Sequence, residues 1–535
     1  MQRLKTMTAS WTPSVPQPLV ARLSVLCFLV VLTLTWPPIG KTEEAQQFSK
    51  LWGKNGELWS PYSRLPDFTW AGYRWGTEPY RRPQQRVSVK DFGAKGDGQT
   101  DDTAAFRRAL EAGKGKVIFV PPGKYILRDI LYIRSSNTVL QGAGPDQTVI
   151  VFTRPGTEID PRPSKTDSNQ PTTGWSWAGG LISIGGSPTK PVDVTHVTKP
   201  QSRGDTSLTL EKNPFRPGDE ILLTLRDDHA KSLIHYLYRG QPGDISGLRN
   251  WYVEQVFRVV RCEGHTVFLN RPLRFDVRAE WKPTVERFAP PLTDVGVEGF
   301  TFDFPVRQYA GHFREVGLNP VEITHNAAHC WLKDLVIRNA DNGPFVSGYF
   351  CTVEKIRLEA DPERTSRLGN YTGHHGITFG RALDCLCRDF EISTRFIHDL
   401  TVQSSIGCVF CSGRGIDLCF DHHRWVPYEN LFTDIDAGLG SRLFASSGGD
   451  MRGNHTAGGE TFWCIRTQKP VRWPTSLGID AINLVGLNVA DADQAVPVLP
   501  SPTDLTGRWC EPIPPQKLFP PNLYEAMRAR GRTNN

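Results

Sequence analysis

The sequence predicts an all-β protein built as a parallel β-helix, and three observations carry that expectation. A small residue, usually Cys or Asn, opens an apolar strand five times, at Cys330-Trp331-Leu332, Cys351-Thr352-Val353, Cys385-Leu386-Cys387, Cys408-Val409-Phe410 and Asn430-Leu431-Phe432. These openers stand 21, 34, 23 and 22 positions apart. That period is too short for a helical hairpin repeat, and β-branched and aromatic residues fill every copy. A second apolar strand precedes each opener, at Val321–Ile323, Phe345–Val346, Ile377–Phe379, Leu400–Val402 and Ile416–Phe420. The 34-residue interval is an ordinary turn carrying an inserted loop, Asp361–Gly373, where Pro, Gly and Asn collect. In such a coil, equivalent positions of successive turns lie about 4.8 Å apart. Side chains remote in sequence then form one column.

Taken in order, the 535-residue chain begins with Arg3, Lys5 and Arg22 ahead of an apolar run, Leu23–Trp36, ended by Pro37-Pro38. The run is shorter than the roughly 20 residues of a membrane span, so residues 1–40 read as a secretory signal or an uncleaved N-terminal anchor. The expected location is secreted, periplasmic or extracellular, with membrane contact only through that segment. Residues 41–86 are rich in Trp, Tyr, Pro and Gly, as in Trp70-Ala71-Gly72-Tyr73-Arg74-Trp75, and read as an extended lead packed along the body.

Residues 87–194 form the entry to the coil. Val87–Asp91 is a strand, Gly93, Gly96 and Gly98 allow a tight turn, and Thr100 or Asp101 caps a helix running to Ala112. Acidic residues then occupy its first turn, and Lys116–Val120 is the next strand. A helix here covers the open apolar end of the coil. Trp175–Gly180 begins a further strand, and residues 195–291 lose the period and read as a β-rich insertion with a polar loop at Asp227–Arg249. The main coil spans 292–490. A Pro-rich tail follows at 491–535, with a last helix over Asn522–Arg530 on the far end.

The stretch Val87-Ser-Val-Lys-Asp91-Phe-Gly-Ala-Lys-Gly-Asp97-Gly-Gln-Thr100-Asp101-Asp102 closely resembles the opening of the rhamnogalacturonase and epimerase-like group of the pectate lyase superfamily. The resemblance implies a right-handed, single-stranded coil, carbohydrate substrates, and a monomer or homotrimer. It gives the aspartates of this stretch a structural role.

Composition narrows the partners. A net charge of +6 with scattered basic residues gives no dense basic face for nucleic acid and agrees with an acidic partner. The eleven cysteines do not make a small disulfide scaffold. Several occupy the opener position, so they are expected to line the interior. Cys408 and Cys411 form a lone CxxC without a second pair at zinc spacing.

The strands before the openers carry the candidate site: His374 and His375 in one turn, His398 and Asp399 in the next, then Arg414, Asp417, Asp421, His422 and His423. Imidazole and guanidinium beside carboxylate suit β-elimination on a uronide. A histidine would take the proton, Arg414 would pair the substrate carboxylate, and aspartates would orient imidazoles or hold a Ca²⁺ ion. Phe420–Trp425 is the densest piece and the favoured catalytic turn. Of the motifs of the polygalacturonase branch only Gly373-His374-His375-Gly376 comes near, with one residue too many. Glycoside hydrolysis by two of Asp399, Asp417 and Asp421 is therefore the second expectation. A non-catalytic carbohydrate-binding coil is the third.

Overall fold

Two parallel sheets and a line of single bridges carry the repeat. The computed structural model describes residues 45–367, 369–490 and 499–533, so the expected leader and positions 491–498 of the tail lie outside the described residues. No helix among them is long and apolar enough to cross a membrane. The first sheet has seven strands: Leu131–Ile133 (β1), Ile182–Ile184 (β2), Val321–Ile323 (β3), Phe345–Val346 (β4), Gly373–Gly380 (β5), Phe396–Gln403 (β6) and Phe420–His422 (β7). The second sheet takes the opener strands, in the register Trp331–Thr352–Leu386–Val409–Leu431. Between them, parallel bridges join Ala328, Tyr349, Leu383, Ile406 and Tyr428. Each turn of the all-β coil thus supplies one strand to each sheet and one bridge, as the period requires.

The openers line the lumen. Cys330, Cys351, Cys385, Cys408 and Asn430 are fully buried. The Cys351 N–H faces Cys385 Sγ at 3.3 Å, and the Cys408 N–H donates to Asn430 Oδ1 at 3.0 Å. Phe410, Phe432 and Phe420 stack beside them with centroids 5.1 and 4.7 Å apart. The thiols of Cys330, Cys351, Cys385, Cys387, Cys408 and Cys411 form no disulfide. Cys411, three positions along an alternating strand, packs with Trp463 and Trp509 in a separate apolar cluster, so the CxxC sulfurs do not converge.

The entry helix is α1, Thr103–Ala112, which buries Ala105, Phe106, Ala109 and Leu110. Its N-cap is Asp102, not Thr100 or Asp101, and its first turn holds no acidic residue. The reason is a strand over Asp97–Asp101, whose pairing with Gly123–Leu127 delays the helix. Asp102 instead accepts the N–H groups of Lys95 and Gly96. The strand expected from Trp175 is a 3-10 turn, Gly174–Ser176, with Trp175 buried against Gly156 and Gly179.

Between Thr195 and Arg287 six strands form an antiparallel sheet. The stretch read as a polar loop contains a helix, Ser232–Leu237, that buries Leu233, Ile234 and Leu237. The terminal helix α2, Leu523–Thr533, lies against the side of the second sheet, not on its far end. Its Leu523, Tyr524 and Met527 share an apolar cluster with Trp52 and Phe68 of the lead and with Val409, Trp463 and Val485 of the coil.

Candidate active site

Strand register brings four of the expected histidines together. His375 on β5 is the direct neighbour of His398 on β6, and Thr401 on β6 is the neighbour of Asp421 on β7. The backbone of β5 is pinned where its N–H groups donate to Asp341 O (His374, 2.8 Å) and Asn342 Oδ1 (His375, 3.0 Å). Ring centroids lie 4.0 Å apart for His374–His375, 5.0 Å for His375–His398 and 5.5 Å for His398–His423. His312, from the loop ahead of β3, closes the group 4.4 Å from His374.

Asp421 is the hub. One carboxylate oxygen is 2.8 Å from His423 Nδ1 and 3.5 Å from His398 Nδ1, and the other accepts the Ser447 N–H at 2.9 Å. The Ser447 hydroxyl lies 3.1 Å from His398 Nε2. Burial alone would raise the Asp421 carboxyl, but the His398 and His423 rings outweigh it and hold it far below the usual range. Burial pushes His374 and His375 well below the ordinary imidazole value and His398 down to about 4, and Asp421 opposes only part of the shift at His375 and His398. Near neutral pH the hub is therefore an anion close to the neutral rings of His374, His375 and His398.

The remaining expected residues separate from this group. His422 turns inward. Strand alternation that points Asp421 and His423 outward sends His422 into the lumen column of Phe379 and Val402. There it is fully buried, its ring beside Phe432 and Phe462 and its Nε2 3.2 Å from Glu460. Arg414 sits on the second sheet, exposed and paired with Glu391 at 3.0 Å, so it does not reach the histidines. Asp399 and Asp417 are both held by Arg442 and brace turns. Asp399 accepts the Phe396 and Cys419 N–H groups, and Asp417 accepts from Ser441 and Arg395. Burial raises the Asp399 carboxyl to about 6, against the pull of Arg442.

A cleft of about 850 Å³ opens over β4–β7, and His312, His374, His375 and His423 line it. Its walls come from segments with no periodic signal: 165–177, 249–254 and 447–452. Trp177, Trp251 and Trp425 supply aromatic faces, the last two stacked 6.0 Å apart. Arg249, Arg381 and Arg452 supply positive charge. The lining carboxylates are Asp167, paired with Arg452, and Glu254, which accepts the Tyr349 hydroxyl at 2.9 Å. Of the loop at 227–249 only Arg249 reaches the cleft. Sequence reasoning missed His312 and its neighbour Glu315, because they stand in a loop between strands, where no period marks them. Glu315 lies 3.4 Å from His374 Nδ1, and burial raises its carboxyl to about 7, with the Tyr309 hydroxyl opposing.

Residues 86–174 match the sequence profile of the family described as rhamnogalacturonase A/epimerase, pectate lyase-like. The match is confined to this segment. It covers the entry helix and the turns that follow it, and the histidine cluster lies beyond it. Among curated proteins, the pre-neck appendage protein of Bacillus phage B103 is 46% identical over 66 residues, which are 12% of this chain and 7% of the phage protein. Alginate lyase 7 of Azotobacter vinelandii is 43% identical over 72 residues, 12% of this chain and 8% of the lyase. The chain thus spans under a tenth of the length of either relative. The solved tailspike protein gp49 of Pseudomonas phage LKA1 aligns over 75% of this chain and 67% of its own, at 13% identity and a TM-score of 0.40.

Proposed function

We propose that the protein is an enzyme that cleaves an acidic, uronate-containing polysaccharide by β-elimination in the cleft over β4–β7. One observation carries this reading: Asp421 engages His423 at Nδ1, which leaves Nε2 of a partly exposed imidazole facing substrate space. A carboxylate behind an imidazole fixes the tautomer and makes the free nitrogen a base. In the reaction that base removes the proton beside the uronate carboxylate. The C4–O4 bond then breaks as the double bond forms, and the imidazolium returns its proton to the departing oxygen. Charge on the enolate-like intermediate faces Arg249, Arg381 and Arg452, and Trp177 and Trp425 offer surfaces for sugar rings. Hydrolysis needs two carboxylates flanking the bond. Asp399, Asp417 and Asp421 do not line the cleft, and both lining carboxylates have partners. Export belongs to the same proposal, since such polymers lie outside the cell and the chain opens with a basic and apolar leader.

Incubation with a panel of acidic polysaccharides, following ultraviolet absorbance beside reducing ends, tests the reading. Absorbance rising with reducing ends is expected. Reducing ends alone would make the protein a hydrolase, and binding with neither signal would make it a carbohydrate-binding coil.

A further inference from the structure

We propose that His312, His374 and His398 hold one transition-metal ion of the zinc class, with a coordination position open toward the cleft. One ring nitrogen from each of the three lies within 4.8 Å of the others. Three imidazoles at that spacing are a donor set for zinc, copper, nickel or iron, whereas calcium takes oxygen ligands. The decisive observation is His374. It is buried, yet neither of its ring nitrogens makes a hydrogen bond of good geometry, and Nδ1 of the buried His398 has none either.

Buried polar atoms without partners are rare in folded proteins and call for an explanation such as an ion. A second possible triad, His398, Asp421 and His423, shares one ligand with the first. That triad already satisfies itself, with His423 bonded to Asp421 and His398 to Ser447. The orphaned nitrogens therefore favour the first. A carboxylate stands behind His374 as it does in protein metal sites: Glu315 lies 3.4 Å from His374 Nδ1, which leaves Nε2 of that ring for the ion. Glu315 Oε2 is itself a buried atom without a partner. His312 and His374 line the cleft, so a bound ion would meet solvent or a substrate carboxylate there. Its part in the reaction, as the group that takes up the uronate charge, rests on the elimination reading; its binding does not.

Full-length protein, stripped with a chelator, is titrated with Zn²⁺ by competition and with Co²⁺ by visible absorption. One equivalent per chain is expected, with a ligand-field band for cobalt and no displacement by Ca²⁺. His312→Ala, at an exposed position outside any strand, and His374→Asn should each weaken binding at least tenfold, and the exposed His196→Ala in the antiparallel sheet should leave it unchanged. No uptake by the native protein, or wild-type uptake by both His312→Ala and His374→Asn, overturns the site. Uptake without cleavage of any polysaccharide supports the site and removes the elimination reading; cleavage without uptake does the reverse.

Discussion

His422 and His423 are neighbours in sequence with opposite environments, one in the lumen against Phe432 and Phe462, the other on the cleft wall against Asp421. Their variants should part accordingly. His423→Ala removes the proposed base and should cut turnover on a cleavable uronate polymer by about 10²–10⁴-fold, with little change in melting temperature. His422→Ala opens a lumen cavity and leaves Glu460 short of a partner. It should cost about 2–4 kcal/mol of stability in denaturant titration, with turnover per folded molecule within threefold of wild type. The reverse pattern would place the chemistry inside the coil. The sequence showed that Phe420–Trp425 is dense in chemistry but not which of its side chains face out. That depends on the phase of a two-residue alternation, and β7 spans only Phe420–His422, too short to establish a phase. Arg414 was misplaced for a related reason, since its strand joins the second sheet.

At the level of elements, five successive turns of the second sheet each bend at one left-handed residue. Asp334, Lys355, Asp389, Ser412 and Asp434 have φ between 53° and 55°, and they fall at equivalent positions of five successive turns. Aspartate and serine suit such a corner and lysine does not. Lys355→Gly should therefore raise stability by ~0.5–1 kcal/mol and Lys355→Val should lower it, as chemical denaturation would show. The antiparallel sheet is tied to the coil by buried ion pairs. Arg271 and Arg274 reach Asp384 at 2.7 and 2.9 Å, and Arg203 and Arg274 reach Glu429 at 3.2 and 3.1 Å. Burial would raise the Asp384 carboxyl, but the two guanidinium groups outweigh it and depress it. A carboxyl depressed on folding contributes stability above its unfolded value of about 3.9, and that contribution is lost as pH falls through the folded value. Asp384→Asn should cost ~3–5 kcal/mol at pH 7, with the gap to wild type closing below about pH 4; unfolding curves at the two pH values check it. The coil strands were legible because a period repeated them. The helix at Ser232–Leu237 was not, since six residues among His and Tyr carry no pattern of their own.

Across the whole described chain, the lead and the tail meet. Gln47–Phe48 pairs in parallel with Leu518–Phe519, the Tyr524 hydroxyl donates to Ala71 O at 2.7 Å, and the Arg528 guanidinium reaches Gly76 O. Ending the chain after Pro521 strips Leu523 and Met527 from the second sheet. At about 1.5–3 kcal/mol for each buried side chain, a loss of ~3–6 kcal/mol is expected in urea unfolding, with the lead more open to protease. The cleft likewise exists only in the folded chain, because its walls at 165–177, 249–254 and 447–452 are separated by a large part of the sequence and share no motif. The central claim is that a sugar acid sits in that cleft against His423 and the arginines. It is tested most directly by a crystal structure with a bound uronate oligosaccharide that resists cleavage. The account predicts the oligosaccharide along β4–β7, between Trp177 and Trp425, with a carboxylate facing the arginines and the proton-bearing carbon next to His423 Nε2. An oligosaccharide bound along the second sheet, or a cleft left empty at saturating ligand, would contradict it.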